Sequence, residues 1–243
     1  MSLSTGLAGL ILAVPLPPTV SVPHCALFDL DGTLADTAPD LVSALNAVLV
    51  SEGRAAVPLS TARWWVAQGS IGLIQNGFDI AREAAIHSPL RQQLLEEYHT
   101  NLCVKTRLFP GVNELLRTLD HRDIPWGIVT NKPARFTIPL LSQLKLDTSV
   151  RSVMSGDSLS RAKPDPLPLL HACNEIGVAP SNTIFVGDDR RDVVAGKAAK
   201  TVTVAVTWGY GAPQDAKTWG ADHVVSSAGE IPPVLGLEDL NAR

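Results

Sequence analysis

Acidic side chains gather where apolar runs stop. Cys25-Ala26-Leu27-Phe28 leads directly into Asp29-Leu30-Asp31-Gly32-Thr33, and Thr183–Val186 leads into Gly187-Asp188-Asp189, with Asp192 shortly after. Asp29 and Asp31 are two apart, so an extended strand would place both on one face. Asp188 and Asp192 are four apart, so the opening turn of a helix would stack them. Like charges 4 Å apart repel by about 4 kcal/mol at an effective dielectric near 20. A hard divalent cation relieves that repulsion, and Mg2+ takes one or two carboxylates together with substrate phosphate oxygens. A helix dipole also favours Asp in a first helical turn, which would explain Asp189 and Asp192 without a ligand. Asp29 and Asp31 have no such explanation, because nothing beside them in the sequence neutralises them.

The apolar runs read as strands. Besides 25–28 and 183–186, they cover 124–130, a weaker 151–156, 201–207 and a short edge at 222–225. Helical spacing separates them: Val112, Leu115, Leu116 and Leu119 share a face, as do Leu167, Leu170 and Cys173, and then Val193, Val194 and Lys197. Strands alternating with helices build a parallel sheet, and such sheets bind ligands outside the carboxyl ends of their strands. Thr130 and Asn131 end the second run, and Lys163 follows the third. The stretch 37–108 carries no strand signal. Leu41, Leu45, Val48 and Leu49 form one stripe closed by Gly53, and Leu90, Leu94, Leu95, Tyr98 and Leu102 form another after Pro89. The expectation is an α/β protein: a Rossmann-like parallel-sheet core from 24–36 and 109–243, with a small helical cap domain inserted at 37–108.

These motifs resemble a known family. Phe28-Asp29-Leu30-Asp31-Gly32-Thr33-Leu34 is similar to the first motif of the haloacid dehalogenase (HAD) superfamily, Val129-Thr130-Asn131 to the second and Lys163-Pro164-Asp165 to the third. Val186-Gly187-Asp188-Asp189-Arg190-Arg191-Asp192 is similar to the fourth. The resemblance implies a Mg2+-dependent phosphatase. Asp29 would be the nucleophile that forms an aspartyl-phosphate, and Asp31 would protonate the leaving alcohol and then activate water. Asp29, the Asp31 carbonyl and Asp188 would hold Mg2+, with Asp192 supporting the metal from outside. Thr130, Asn131 and Lys163 would bind the phosphoryl group. An acidic residue at position 31 favours phosphate-ester hydrolysis or phosphomutation over dehalogenation.

The inserted helices, Asp36-Thr37-Ala38-Pro39-Asp40-Leu41, Thr130-Asn131-Lys132-Pro133 and Trp208-Gly209-Tyr210-Gly211 extend the likeness to the phosphoglycolate phosphatase-like branch. Substrate selection would then fall to a cap loop, Arg63–Ser70, with Arg63, Gly69 and Ser70 meeting the organic part of the substrate. Asn131–Phe136, Gly187–Asp192 and Trp219-Gly220-Ala221-Asp222 look like the N-acetylmuramic acid 6-phosphate phosphatases of peptidoglycan recycling. One departure is Ala199-Lys200, where the branch usually ends the helix with glycine. A sugar phosphomutase and a phosphate-accepting switch or binding module remain as other readings.

The 243 residues are 45% hydrophobic and 18% charged, with a net charge of −4. That composition excludes intrinsic disorder, and it offers no basic excess for a nucleic-acid backbone. Three dispersed cysteines, Cys25, Cys103 and Cys173, suit a reducing compartment. Residues 1–23 read as a loosely ordered leader. They contain no Lys or Arg, and the apolar run Leu7–Val14 is too short to span a bilayer. The expected protein is cytoplasmic, a monomer or homodimer, with a small phosphorylated metabolite as its ligand and neither nucleic acid nor membrane as a partner.

Overall fold

A computed structural model describes residues 23–211 and 213–237; the expected leader therefore lies outside the described residues, Pro23 apart. Eight strands run β1 (Cys25–Phe28), β2 (Ala35–Asp36), β3 (Arg107–Leu108), β4 (Trp126–Val129), β5 (Ser152–Met154), β6 (Thr183–Gly187), β7 (Val202–Val206) and β8 (His223–Val225). Six form one parallel sheet in the order β5-β4-β1-β6-β7-β8. Each expected strand is present: β1 has the expected bounds, β6 runs one residue further, and the other four are shorter by one or two residues at one or both ends.

Both sheet faces are covered, which is why the strands read as continuous apolar runs. On β1, Ala26 and Phe28 pack with Leu115, Leu116 and Phe136 on one face. Leu27 packs with Leu169, Cys173 and Ala195 on the other. The covering helices are α6 (Val112–His121) and α7 (Ala134–Gln143) on the first face, and α8 (Leu167–Ile176) and α9 (Arg190–Ala199) on the second.

Five helices lie between β2 and β3: α1 (Ala38–Ser51), α2 (Leu59–Ala62), α3 (Gly69–Phe78), α4 (Arg82–His87) and α5 (Pro89–Thr100). β2 and β3 pair antiparallel, Ala35 with Leu108 and Asp36 with Arg107, so the chain leaves and re-enters the core through one two-stranded ribbon. Ser88 caps α5 by accepting from the Leu90 amide, with Pro89 at the first turn. The buried faces of α1, α3 and α5 join the core through Leu45, Leu73, Ile74, Leu94 and Tyr98.

One local expectation is corrected, and one departure proves to have no effect on the fold. Arg63–Ser70 is not a loop: Arg63–Gln68 forms a 3-10 helix and Gly69 opens α3, because Val66 and Ala62 are buried on a helical spacing. The Ala199-Lys200 departure does not change how the helix ends. Lys200 adopts the left-handed conformation (φ 64°) usually given to glycine, and the Thr201 amide still reaches the Gly196 carbonyl.

Candidate active site

β1 lies between β4 and β6, so three loops leave the sheet side by side. Asp29 follows β1, and its amide continues the ladder to the Val186 carbonyl at 2.9 Å. Thr130 follows β4, with its amide 2.8 Å from the Met154 carbonyl. Asp188 follows β6. Position in sequence thus becomes position in space, and Asp29, Asp31, Thr130, Asn131, Lys163 and Asp188 all line one cavity of about 400 Å³.

Lys163 comes from the segment between β5 and α8. Its Nζ lies 2.7 Å from Asp29 Oδ1 and 2.7 Å from Asp192 Oδ1, with the side chain 3% exposed. Burial alone would depress the ammonium, but Asp192 and Asp29 outweigh it and raise its pKa. Asn131 fixes the segment: its Nδ2 donates to the Lys163 carbonyl (2.9 Å) and its Oδ1 accepts from the Lys163 amide (3.0 Å). Asn131 was expected at the phosphoryl group. It lines the cavity, and its side-chain amide also holds the Lys163 backbone.

Carboxylate oxygens of Asp29, Asp188 and Asp192 lie within 4.8 Å of one another. Burial, then repulsion from Asp29 and Asp192, pushes the Asp188 carboxyl well above the usual range. Asp188 accepts from the Thr33 hydroxyl (3.1 Å) and the Tyr210 amide (2.7 Å). Two glycines admit it: a Cβ on Gly32, whose φ is +90°, or on Gly209 would collide with the Asp188 side chain. Asp192 acts in a capping box with Asp189 at the start of α9, its Oδ2 accepting from the Asp189 amide at 3.0 Å. Three buried carboxylates against one lysine leave excess negative charge on oxygen donors only. That donor set fits a hard divalent cation.

Asp31 lies beyond the end of β1, so no strand puts it on one face with Asp29. It turns toward Thr37 and Lys132: its Oδ1 accepts from Thr37 Oγ1 (2.6 Å) and from Lys132 Nζ (3.0 Å). Thr130 Oγ1 accepts from the Lys132 amide (3.2 Å), which leaves its own proton to donate.

Gly69 and Ser70 line the cavity from the insertion side, as expected. Arg63 does not. Its guanidinium pairs with Asp36 Oδ2 at 2.9 Å and lies 5.2 Å over the Tyr210 ring. The Tyr210 hydroxyl accepts from the Thr37 and Ala38 amides and donates to Asp36 Oδ1 (3.0 Å). The carboxylate of β2 holds Arg63 at the base of the insertion, outside the residues that line the cavity.

Sequence reasoning missed the arginines that do line the cavity: Arg82 and Arg91 from the insertion, and Arg135 and Arg191 from the core. Arg191 pairs with both Asp189 oxygens and donates to the Ala67 carbonyl (2.7 Å), bridging core and insertion. Arg91 donates to the Ser70 hydroxyl (3.0 Å), and Arg135 lies 4.6 Å over Phe136. Among the described residues, Arg82, Arg91 and Arg135 pair with no carboxylate. Lys132 was missed too: it is buried and bonded to the Tyr98 hydroxyl at 2.9 Å. Burial pushes the Tyr98 hydroxyl up to about 12, although Lys132 opposes the shift.

A parallel α/β sheet that collects carboxylates and a buried lysine outside its strand ends has the layout of an enzyme site. The chain belongs to the haloacid dehalogenase-like hydrolase family, whose model matches residues 26–206. It is 39% identical to the N-acetylmuramic acid 6-phosphate phosphatase of Pseudomonas aeruginosa, covering 86% of this chain and 93% of that one. It is also 39% identical to a phosphoglycolate phosphatase of Xanthomonas campestris pv. campestris, covering 88% and 95%. Its fold matches the crystal structure of a predicted phosphoglycolate phosphatase from Haemophilus somnus 129pt with a TM-score of 0.77 at 27% identity, covering 88% of this chain and 98% of that one.

Proposed function

We propose that the protein hydrolyses a small phosphate monoester through an aspartyl-phosphate on Asp29. The observation that carries this reading is the buried Lys163 held 2.7 Å from Asp29, in a cavity shared with Asp31 and Thr130. An Asp29 oxygen attacks phosphorus and the ester P–O bond breaks, while Asp31 gives its proton to the departing oxygen. The Asp31 carboxylate then takes a proton from water as the water oxygen attacks phosphorus, releasing inorganic phosphate and Asp29. Lys163 and the Thr130 hydroxyl present donors to the phosphoryl oxygens, and Asp192 orients Lys163. Asp29, Asp188 and the Asp31 carbonyl would hold Mg2+, which supplies charge neutralisation at the phosphoryl group. Residues 37–108 act as a cap over a core formed by 24–36 and 109–243. Three free cysteines fit a cytoplasmic setting, and among the described residues no helix is long and apolar enough to cross a membrane.

Two observations bear on the leaving group. Arg82, Arg91 and Arg135, which pair with no carboxylate among the described residues, favour an anionic group on it, and guanidinium forks suit carboxylates. Phosphoglycolate satisfies the charge. A cavity of about 400 Å³ favours, as a second reading, a larger ester such as N-acetylmuramic acid 6-phosphate, which also carries a carboxylate. Ligand pockets span about 300–1,000 Å³, well beyond the needs of a two-carbon acid.

The test is phosphate release from phosphoglycolate, N-acetylmuramic acid 6-phosphate and N-acetylglucosamine 6-phosphate, with Mg2+ and with EDTA. Hydrolysis that needs Mg2+ and favours a carboxylated ester supports the proposal. Interconversion of sugar phosphates without phosphate release would point to a mutase. Stable phosphorylation without turnover would point to a switch.

A further inference from the structure

We propose that Lys132 is a positioning residue that makes the placement of Asp31 depend on closure of the inserted helices. The inference rests on the reading of Asp31 as the group that moves protons. The Lys132 side chain is 6% exposed and has one partner on the core and one on the insertion. On the core side its Nζ lies 3.0 Å from Asp31 Oδ1. On the insertion side it lies 2.9 Å from the hydroxyl of Tyr98, on α5, and 4.6 Å from the centroid of that ring. Tyr98 is 1% exposed and packs against Phe136 of α7 at 5.4 Å between ring centroids. The core-side and insertion-side partners are joined in sequence only through the β2–β3 ribbon and the helices it carries.

The bonding divides the Asp31 carboxyl. Oδ1 accepts from both Lys132 and Thr37, while among the described residues Oδ2 has no partner. One oxygen is therefore an anchor and the other is left for the leaving group and for water. Swinging α5 away would strip Lys132 of Tyr98 and expose its ammonium to water. The anchor on Oδ1 would loosen with it. Proton transfer is thereby tied to the state in which the insertion excludes solvent. Lys163 already serves the phosphoryl side from another loop, so Lys132 is not needed there.

The test compares Lys132→Met, Tyr98→Phe and Asp31→Asn on p-nitrophenyl phosphate and on an alkyl phosphate. The nitrophenolate leaves without a proton, so Lys132→Met should release a first equivalent of it at close to the wild-type rate. Turnover should then slow by about tenfold or more, because water activation still needs a well-placed Asp31. On the alkyl ester the first step should slow as well, with KM changed less than about threefold. Tyr98→Phe keeps the ring and its packing, and should show the same pattern more weakly; it carries the test if Lys132→Met fails to fold. A raised KM with kcat retained would make Lys132 a phosphate ligand and overturn the inference. Equal losses in both steps on p-nitrophenyl phosphate, or wild-type kinetics on both esters, would also overturn it. If Asp31→Asn alone keeps full turnover, the fault lies with the reading of Asp31.

Discussion

Lys163 Nζ sits 2.7 Å from Asp29 Oδ1, although the two residues are 134 positions apart in the chain. Two adjacent parallel strands, β1 and β4, and the Asn131 clamp on the Lys163 backbone create that contact. On the proposed reading Asp29 is the attacking carboxylate, and a cation fixed beside it would also face the incoming phosphate dianion. The contact would then belong to the chemistry as much as to the fold.

Arg63 pairs with Asp36 and does not line the cavity, which fits a brace at the base of the insertion. Arg63→Ala should cut kcat/KM for a carboxylated ester and for p-nitrophenyl phosphate by similar factors, within about threefold of each other. Arg91→Ala and Arg135→Ala should be selective, losing about 10–150-fold on the carboxylated ester, as expected for a charge-assisted hydrogen bond of about 1.5–3 kcal/mol. Steady-state kinetics on both substrates separates the two behaviours. A selective loss in Arg63→Ala would return it to the substrate.

Asp40 closes the insertion from the inside. Its buried carboxylate accepts from the Lys105 and Thr106 amides and from the Thr106 hydroxyl (2.7 Å), tying the start of α1 to the segment that enters β3. Asp40→Ala strands those donors and should cost about 2–4 kcal/mol by urea denaturation, since leaving buried groups unsatisfied costs about 1–3 kcal/mol each. A loss below 0.5 kcal/mol, roughly the size seen at a neutral surface site, would contradict this.

What could be read from the sequence was whatever short-range pattern determines. Asp29, Thr130 and Asp188 each follow an apolar run directly, so strand ends located them. The stripe Leu41–Leu49 and the stripe that opens after Pro89 similarly located α1 and α5. Arg82, Arg91 and Lys132 were not legible, because long side chains reach the cavity from elements whose relative placement only tertiary packing sets. Arg63 misled for the same reason. Its partner, Asp36, is 27 residues away on a two-residue strand that no periodicity announces.

Asp222 offers a pH-dependent check far from the cavity. Burial would raise its carboxyl, but the Thr203 amide and hydroxyl (2.8 and 2.7 Å) and Lys197 outweigh that and hold it below the usual range. A depressed folded-state pKa means that the stabilisation is present above the unfolded value, about 3.9, and is lost as pH falls through the folded value. Asp222→Asn should therefore lower Tm at pH 7, with the gap to wild type closing toward pH 3. A gap that stays constant with pH would show that the carboxylate charge contributes nothing.

The most direct test of the account is to trap the covalent enzyme. In an Asp31→Asn background, 32P-labelled p-nitrophenyl phosphate should still phosphorylate the protein, while removal of the phosphate by water stalls. Acid quenching and peptide mapping should find close to one label per chain, on the peptide that contains Asp29, and none when Asp29→Asn is added. Label that persists without Asp29, or phosphate release that continues in the double variant, would contradict the assignment of Asp29 as the nucleophile.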